Sequence, residues 1–158
     1  MPVLDPDDPK DEAKLDALLQ RWADGKATLR DVRGYSDDEL YAIAKTAYFF
    51  FYQGRVNEAR TLFQGLYAVN PTDAYFAKAL GVVEMAAGNG QGALAAFDVA
   101  AKLAPHDPSV YVGRAEVKLA LGQKPQAVED LRRAAAMQPG DDPVVRKAAA
   151  MISALSRR

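Results

Sequence analysis

Apolar residues recur every three or four positions along most of this chain, in stretches of helical length separated by short breaks rich in glycine, proline and acids. Side chains at that spacing share one face of an α-helix. Punctuation at the breaks agrees with a helical reading. Ser36-Asp37-Asp38-Glu39 is a capping box, in which the serine and the glutamate each satisfy a free backbone N–H at a helix start. Asp107-Pro108 and Asp142-Pro143 each place an N-cap acid before a proline at the first helical position. The second of these predicts a final helix from Pro143 to about Ser156, with Val144, Ala148, Met151, Ile152 and Leu155 on one face. Near the start, Leu15, Leu18, Leu19 and Trp22 fall at i, i+3, i+4 and i+7 and predict an amphipathic helix from Asp11 to about Asp24. Gly25 ends it, and Ala27 to Tyr35 reads as a linker with one turn of helix. The expected fold class is all-α.

A longer period overlies the helical one. Gly54, Gly88 and Gly122 lie 34 residues apart, as do Ala59, Ala93 and Ala127, Phe63, Phe97 and Leu131, and Pro71, Pro105 and Pro139. Internal repetition of this length marks a solenoid of small helical units. The glycines suit a left-handed helix end. The alanines suit close approach of two helices, as does the further column Ala47, Gly81 and Ala115. Phe63, Phe97 and Leu131 are expected to fill the space between successive units, and the prolines to stop each second helix. The pattern resembles the tetratricopeptide repeat, a pair of antiparallel helices, over about Leu40 to Asp141. The expected organisation is a flexible acidic tail at 1–10 and an N-terminal helix and linker at 11–35. Three repeats with a concave groove follow at 36–141, then a C-terminal capping helix at 142–158, whose polar outer side is Arg146, Lys147, Arg157 and Arg158.

In that register the first helices line the groove. Tyr41, Ala44, Lys45, Tyr48, Phe51 and Tyr52 are the candidates in the first repeat. Tyr75, Lys78, Ala79, Val82, Met85 and Ala86 follow in the second, and Ser109, Val112, Gly113, Glu116 and Leu119 in the third. The run Tyr48-Phe49-Phe50-Phe51-Tyr52 goes round a whole helix at about 100° per residue, so it cannot face one core alone. Phe50 is expected in the core, Tyr48 and Phe51 in the groove, and Phe49 against the N-terminal segment or a second subunit.

Composition narrows the function classes. The 158 residues carry a net charge of −1, which disfavours the concentrated basic surface that nucleic acid requires. Charge is uneven, however: eleven acids stand against six bases in the first forty residues, while residues 143–158 hold four bases and no acid. There is no cysteine, hence no disulfide and no thiolate chemistry, and one histidine, His106, in a turn. Without a signal sequence or a long apolar run, the expected location is the cytoplasm, with no membrane insertion. Gly88-Asn89-Gly90-Gln91-Gly92 falls at an inter-helix turn and is not a phosphate loop. Asp37-Asp38 and Asp141-Asp142 are explained by helix starts, so no enzyme, cofactor or metal site is expected.

The segment ahead of the repeats carries a narrower resemblance. Gly25 to Val32 (GKATLRDV), Ser36 to Leu40, Ala47-Tyr48, Phe51, Gly54 to Ala59 (GRVNEA) and Phe63 to Tyr67 (FQGLY) are similar to the class II chaperones of type III secretion. That resemblance implies a cytoplasmic chaperone that keeps hydrophobic translocator proteins soluble and export-competent. It implies an extended P-x-L-x-x-P-like client segment in the groove, with Tyr48, Phe51 and Phe63 at groove or near-groove positions. Ala44 stands where many members carry an aromatic, which implies a wider anchor pocket or a larger client side chain. Members often dimerise through the N-terminal helix, so Leu15, Leu18, Leu19 and Trp22 are candidates for a homodimer interface or for packing on the protein's own first repeat. A general repeat adaptor, or a scaffold subunit of another complex, is the alternative function.

Overall fold

The computed structural model describes residues 28–157 and, ahead of them, residues 9, 10, 13, 14, 17, 20, 21, 24 and 26. All regular structure among the described residues is helical. Residues 9, 10, 13, 14, 17, 20 and 21 are helical, and the Asp24 N–H closes a turn on the Gln20 carbonyl at 2.9 Å. Leu15, Leu18, Leu19 and Trp22 lie outside the described residues, as does most of the expected acidic tail at 1–10. Eight helices have described bounds: α1 (Leu29–Arg33), α2 (Asp37–Tyr52), α3 (Val56–Val69), α4 (Ala74–Ala86), α5 (Gly90–Leu103), α6 (Pro108–Ala120), α7 (Lys124–Ala135) and α8 (Pro143–Ser156). The starts of α3, α5 and α7 fall 34 residues apart, as the glycine and alanine columns require.

Local chemistry sets the ends. Ser36 caps α2, with its hydroxyl accepting from the Glu39 N–H while the Glu39 carboxylate accepts from the Ser36 N–H. Thr28 and Asp31 form the same box on α1, so the linker's single turn has a defined start. The Thr28 backbone N–H is the main cause that holds the Asp31 carboxyl below its usual range. Asp107 and Asp142 cap α6 and α8 ahead of prolines at the first turn. After α2, Gly54 takes φ 78°, its N–H bonds to the Phe51 carbonyl, and the Arg55 N–H reaches back to Phe50. Gly88 and Gly122 repeat that Schellman geometry after α4 and α6.

The chain divides into two compact units, Met1–Thr72 and Asp73–Arg158. In the first, α2 and α3 form a helix hairpin, with Leu40, Ala44 and Ala47 of α2 buried along with Ala59, Phe63 and Leu66 of α3. In the second, the hairpins α4–α5 and α6–α7 pack on one another, and α8 closes the end against α6 and α7. Tyr111, Val112, Ala115, Ala127, Leu131, Ala134 and Ala148 form a buried cluster there, extended by Val144, Met151, Ile152 and Leu155 on the inner face of α8. Leu131 thus joins the third hairpin to the closing helix, and Phe97 joins the second hairpin to the third. The Phe97 ring is wedged between Gly81 of α4 and Gly113 of α6, where added Cβ atoms would lie 2.7 and 2.6 Å from it.

One polar network stiffens the second unit. Arg114 of α6 donates through Nε and Nη2 to both carboxylate oxygens of Asp130 in α7 (2.9 and 2.7 Å), and Lys118 pairs with the same carboxylate at 2.8 Å. Burial pushes the Asp130 carboxyl up, but the bonds from Arg114 and Lys118 outweigh it and hold the group below its usual range. Bonding to Asp130 is likewise the main cause that raises Arg114.

Candidate functional site

Within the first unit, the outward side of α2 carries an aromatic strip. Tyr41, Lys45, Tyr48 and Tyr52 fall at i, i+4, i+7 and i+11, one helical face. Tyr52 is 81% exposed, and Tyr41 and Lys45 are exposed as well. Tyr48 is half-buried: its ring stacks on Tyr52 (centroids 6.2 Å apart) and meets Phe63 edge-on at 5.0 Å. Phe51, also half-buried, meets Tyr52 edge-on at 5.7 Å. Phe63 is fully buried, so it supports the strip from beneath through Tyr48. Ala44, only 1% exposed, lies on the core side of α2 rather than on the strip.

The other aromatics of the run separate onto different sides. Phe49 is 60% exposed. Phe50 was expected in the core, but it is half-buried, with the Arg55 guanidinium 4.3 Å from its ring centroid. The equivalent positions in the next two repeats are Glu84 and Lys118, both polar. Glu84 is nonetheless buried, and Lys118 is half-buried against Asp130.

Within the second unit, the candidates differ in how far they are committed to the scaffold. Lys78 donates from Nζ to Asp107 Oδ2 (2.9 Å) and Ser109 Oγ (3.0 Å), tying α4 to the start of α6. Burial acts first to raise the Asp107 carboxyl, but the Ser109 hydroxyl and Lys78 together keep it below its usual range. Val82 is exposed and Met85 half-buried, one and two turns along α4 from Lys78. Val112 is buried in the core cluster, and Glu116 is exposed and paired with Lys147 of α8 at 2.7 Å. Sequence reasoning missed both the Lys78 clamp and the Asp130 network, whose partners stand 29 and 16 residues apart. No local pattern signals either.

Elsewhere, His106 is exposed in its turn. Asn89 accepts from the Gly92 N–H as the N-cap of α5, which accounts for the glycine-rich run as helix-start chemistry. No group of three or more His, Asp or Glu side chains that could hold a metal ion occurs among the described residues.

Two models of the tetratricopeptide repeat match the chain, over residues 44–108 and 84–152. No curated protein sequence matches it. Among solved structures it is similar to PcrH from Pseudomonas aeruginosa, at 26% identity and TM-score 0.73 over 80% of this chain and 98% of that one. PcrH in complex with the chaperone binding region of PopD is similar at 27% identity and TM-score 0.72, over 78% of this chain and 96% of that one. The type III secretion translocator chaperone SycD of Yersinia enterocolitica shares the fold at 23% identity and TM-score 0.75, over 81% of this chain and 98% of that one. With its repeat columns, its hairpins and both repeat models in agreement, the chain belongs to the tetratricopeptide-repeat family and has the fold of the type III secretion translocator chaperones.

Proposed function

We propose that the protein is a chaperone for a hydrophobic translocator of type III secretion, gripping an extended P-x-L-x-x-P-like segment and keeping the client soluble and export-competent. The observation that carries this reading is the aromatic strip of α2: Tyr52 stands in solvent, braced by Tyr48 and Phe51, which the core covers only in part. Burying one such side chain in a client contact contributes about 1.5–3 kcal/mol by area. Several anchors of this kind suit an apolar chain that must remain unfolded until export. The likeness to PcrH, solved with the chaperone binding region of PopD, supports the same reading.

In this proposal the first helices of the repeats at 36–141 supply the anchors. In the first unit Tyr41, Tyr48, Phe51 and Tyr52 of α2 are the anchors and Lys45 is polar rim; in the second, Val82 and Met85 of α4 are anchors and Glu116 is polar rim. Phe63 and Ala44 lie beneath the anchors of the first unit, Val112 lies beneath the face of the second, and Lys78 ties α4 to the start of α6 there. The helix at 142–158 caps the array. No helix among the described residues is long and apolar enough to cross a membrane, and we assign the protein to the bacterial cytoplasm.

The test is a titration of a labelled apolar peptide carrying the P-x-L-x-x-P pattern. Tyr52→Glu should reduce its affinity at least about tenfold while helicity stays at the wild-type level. Equal affinity in a folded Tyr52→Glu protein would remove the strip from the binding surface.

A further inference from the structure

In the second unit, a cleft of about 380 Å³ opens beside Tyr111, bordered by Asp98 and Lys102 of α5, Pro105 of the following turn, Arg114 of α6 and Arg133 of α7. Tyr111 is rigidly placed: it is buried, and its hydroxyl donates to the Pro105 carbonyl at 3.0 Å. The guanidinium carbons of Arg114 and Arg133 stand 5.4 and 5.3 Å from its ring centroid.

The cations of this cleft are of two kinds. Arg114 is committed to the scaffold, since Asp130 takes two of its donors and Asp98 a third at 3.1 Å. Lys102 and Arg133 are exposed and form no ion pair among the described residues. The lining thus holds Lys102, Arg114 and Arg133; Asp130 and Asp98 neutralise Arg114, while Lys102 and Arg133 have no carboxylate partner among the described residues and Arg133 lies over the Tyr111 ring. They flank apolar surface from Ala101 and Pro105. Excess positive charge excludes a metal ion. The apolar lining between the cations fits the aliphatic parts of a polypeptide better than a bare phosphate, which would leave that surface uncovered.

We propose that this cleft is a second docking site, distinct from the aromatic strip of α2, for an acidic segment of a partner polypeptide. Lys102 and Arg133 pair with its carboxylates, and Ala101 and Pro105 receive its aliphatic portion. Charge complementarity of this kind governs partner choice and encounter rate more than raw affinity.

The experiment is a fluorescence anisotropy titration of the full-length protein with a labelled peptide that alternates glutamate with proline and leucine. A matched peptide with glutamine in place of glutamate is the control. The acidic peptide should bind more tightly than the glutamine peptide and weaken with salt. Lys102→Glu and Arg133→Glu, checked for wild-type helicity, should each raise its Kd at least about fivefold. Lys124→Glu, an exposed cation outside the cleft, should leave the Kd unchanged. Equal binding of the two peptides, or equal weakening by Lys124→Glu, overturns the proposal. Tighter binding of a single-stranded oligonucleotide, or displacement of the peptide by an equal concentration of inorganic phosphate, also overturns it in favour of a phosphate site. Binding seen only when Asp5, Asp7 and Asp8 are changed to Asn overturns the partner assignment in favour of the chain's own acidic N-terminus. Were Arg133→Glu to unfold α7, the exposed Lys102→Glu would still decide the outcome.

Discussion

Gly81 lies so close beneath Phe97 that a Cβ added to it would stand 2.7 Å from two ring carbons, and Gly113 blocks the opposite edge of the same ring at 2.6 Å. The ring is therefore confined on both of these sides. Overpacking of this kind costs about 1–3 kcal/mol, while replacing a mid-helix glycine by alanine returns about 0.5–1 kcal/mol. Gly81→Ala should destabilise the protein by a net of up to about 2.5 kcal/mol in urea unfolding. In a Phe97→Leu background, where the ring is gone, the same change should cost less or become stabilising. Strict additivity of the two substitutions would show that the contact is not what makes glycine necessary there.

Tyr48 and Tyr52 should separate binding from stability. Tyr48 packs edge-on against buried Phe63 at 5.0 Å, whereas Tyr52 is 81% exposed. Tyr48→Ala is expected to lower both stability, by about 1–2 kcal/mol, and peptide affinity. Tyr52→Ala is expected to lower affinity with a stability change within about 0.5 kcal/mol. Thermal melts beside peptide titrations check the split, and a large loss of stability in Tyr52→Ala would mean that its ring serves the scaffold.

Asp130 gives the fold an acid-sensitive component. Its folded carboxyl is held below the unfolded value of about 3.9. The unfolded state therefore binds more protons between the two values, and stability rises with pH across that interval. The contribution is complete above the unfolded value and disappears as pH falls through the folded one. Melting temperatures measured from about pH 5 down to pH 2 should drop more steeply in wild type than in Asp130→Asn. The asparagine variant should also be less stable at neutral pH, because Arg114 and Lys118 lose their carboxylate. Parallel pH profiles would assign the acid sensitivity to other groups.

The leucine and tryptophan face at 11–24 lies outside the described residues, and the proposal that it mediates a homodimer rests on its pattern. Leu18→Asp or Trp22→Asp should halve the mass measured by light scattering if the wild type is a dimer through this segment. An unchanged dimeric mass in a folded variant would exclude those residues from the interface.

Much of the scaffold was legible because its signals are local and repeated. Gly54, Gly88 and Gly122 all adopt the left-handed conformation that their 34-residue spacing implied. Ser36, Asp107 and Asp142 cap the helices they were read as starting. The Thr28 box was legible too, as a threonine three residues before an acid, and was passed over inside a linker. Phe50 went wrong for a different reason. Its place at the tyrosine position of the repeat suggested core, yet its ring is only half-covered and lies against the Arg55 guanidinium, a contact set by the turn into α3.

The sequence by itself determined where helices begin and end, which small residues permit close approach, and that hairpins repeat. Those properties depend on torsion angles, capping bonds and side-chain size within a few residues. Only the tertiary structure decided which aromatics of the 48–52 run are covered and which remain in solvent. It alone joined Lys78 to Asp107 and Ser109, gathered Arg114 and Lys118 on Asp130, and left Lys102 and Arg133 beside Tyr111 without a carboxylate partner among the described residues. A side chain's exposure and its ionic partners are set by what a neighbouring helix brings to it, and residues 16 to 31 positions away supply that in this fold.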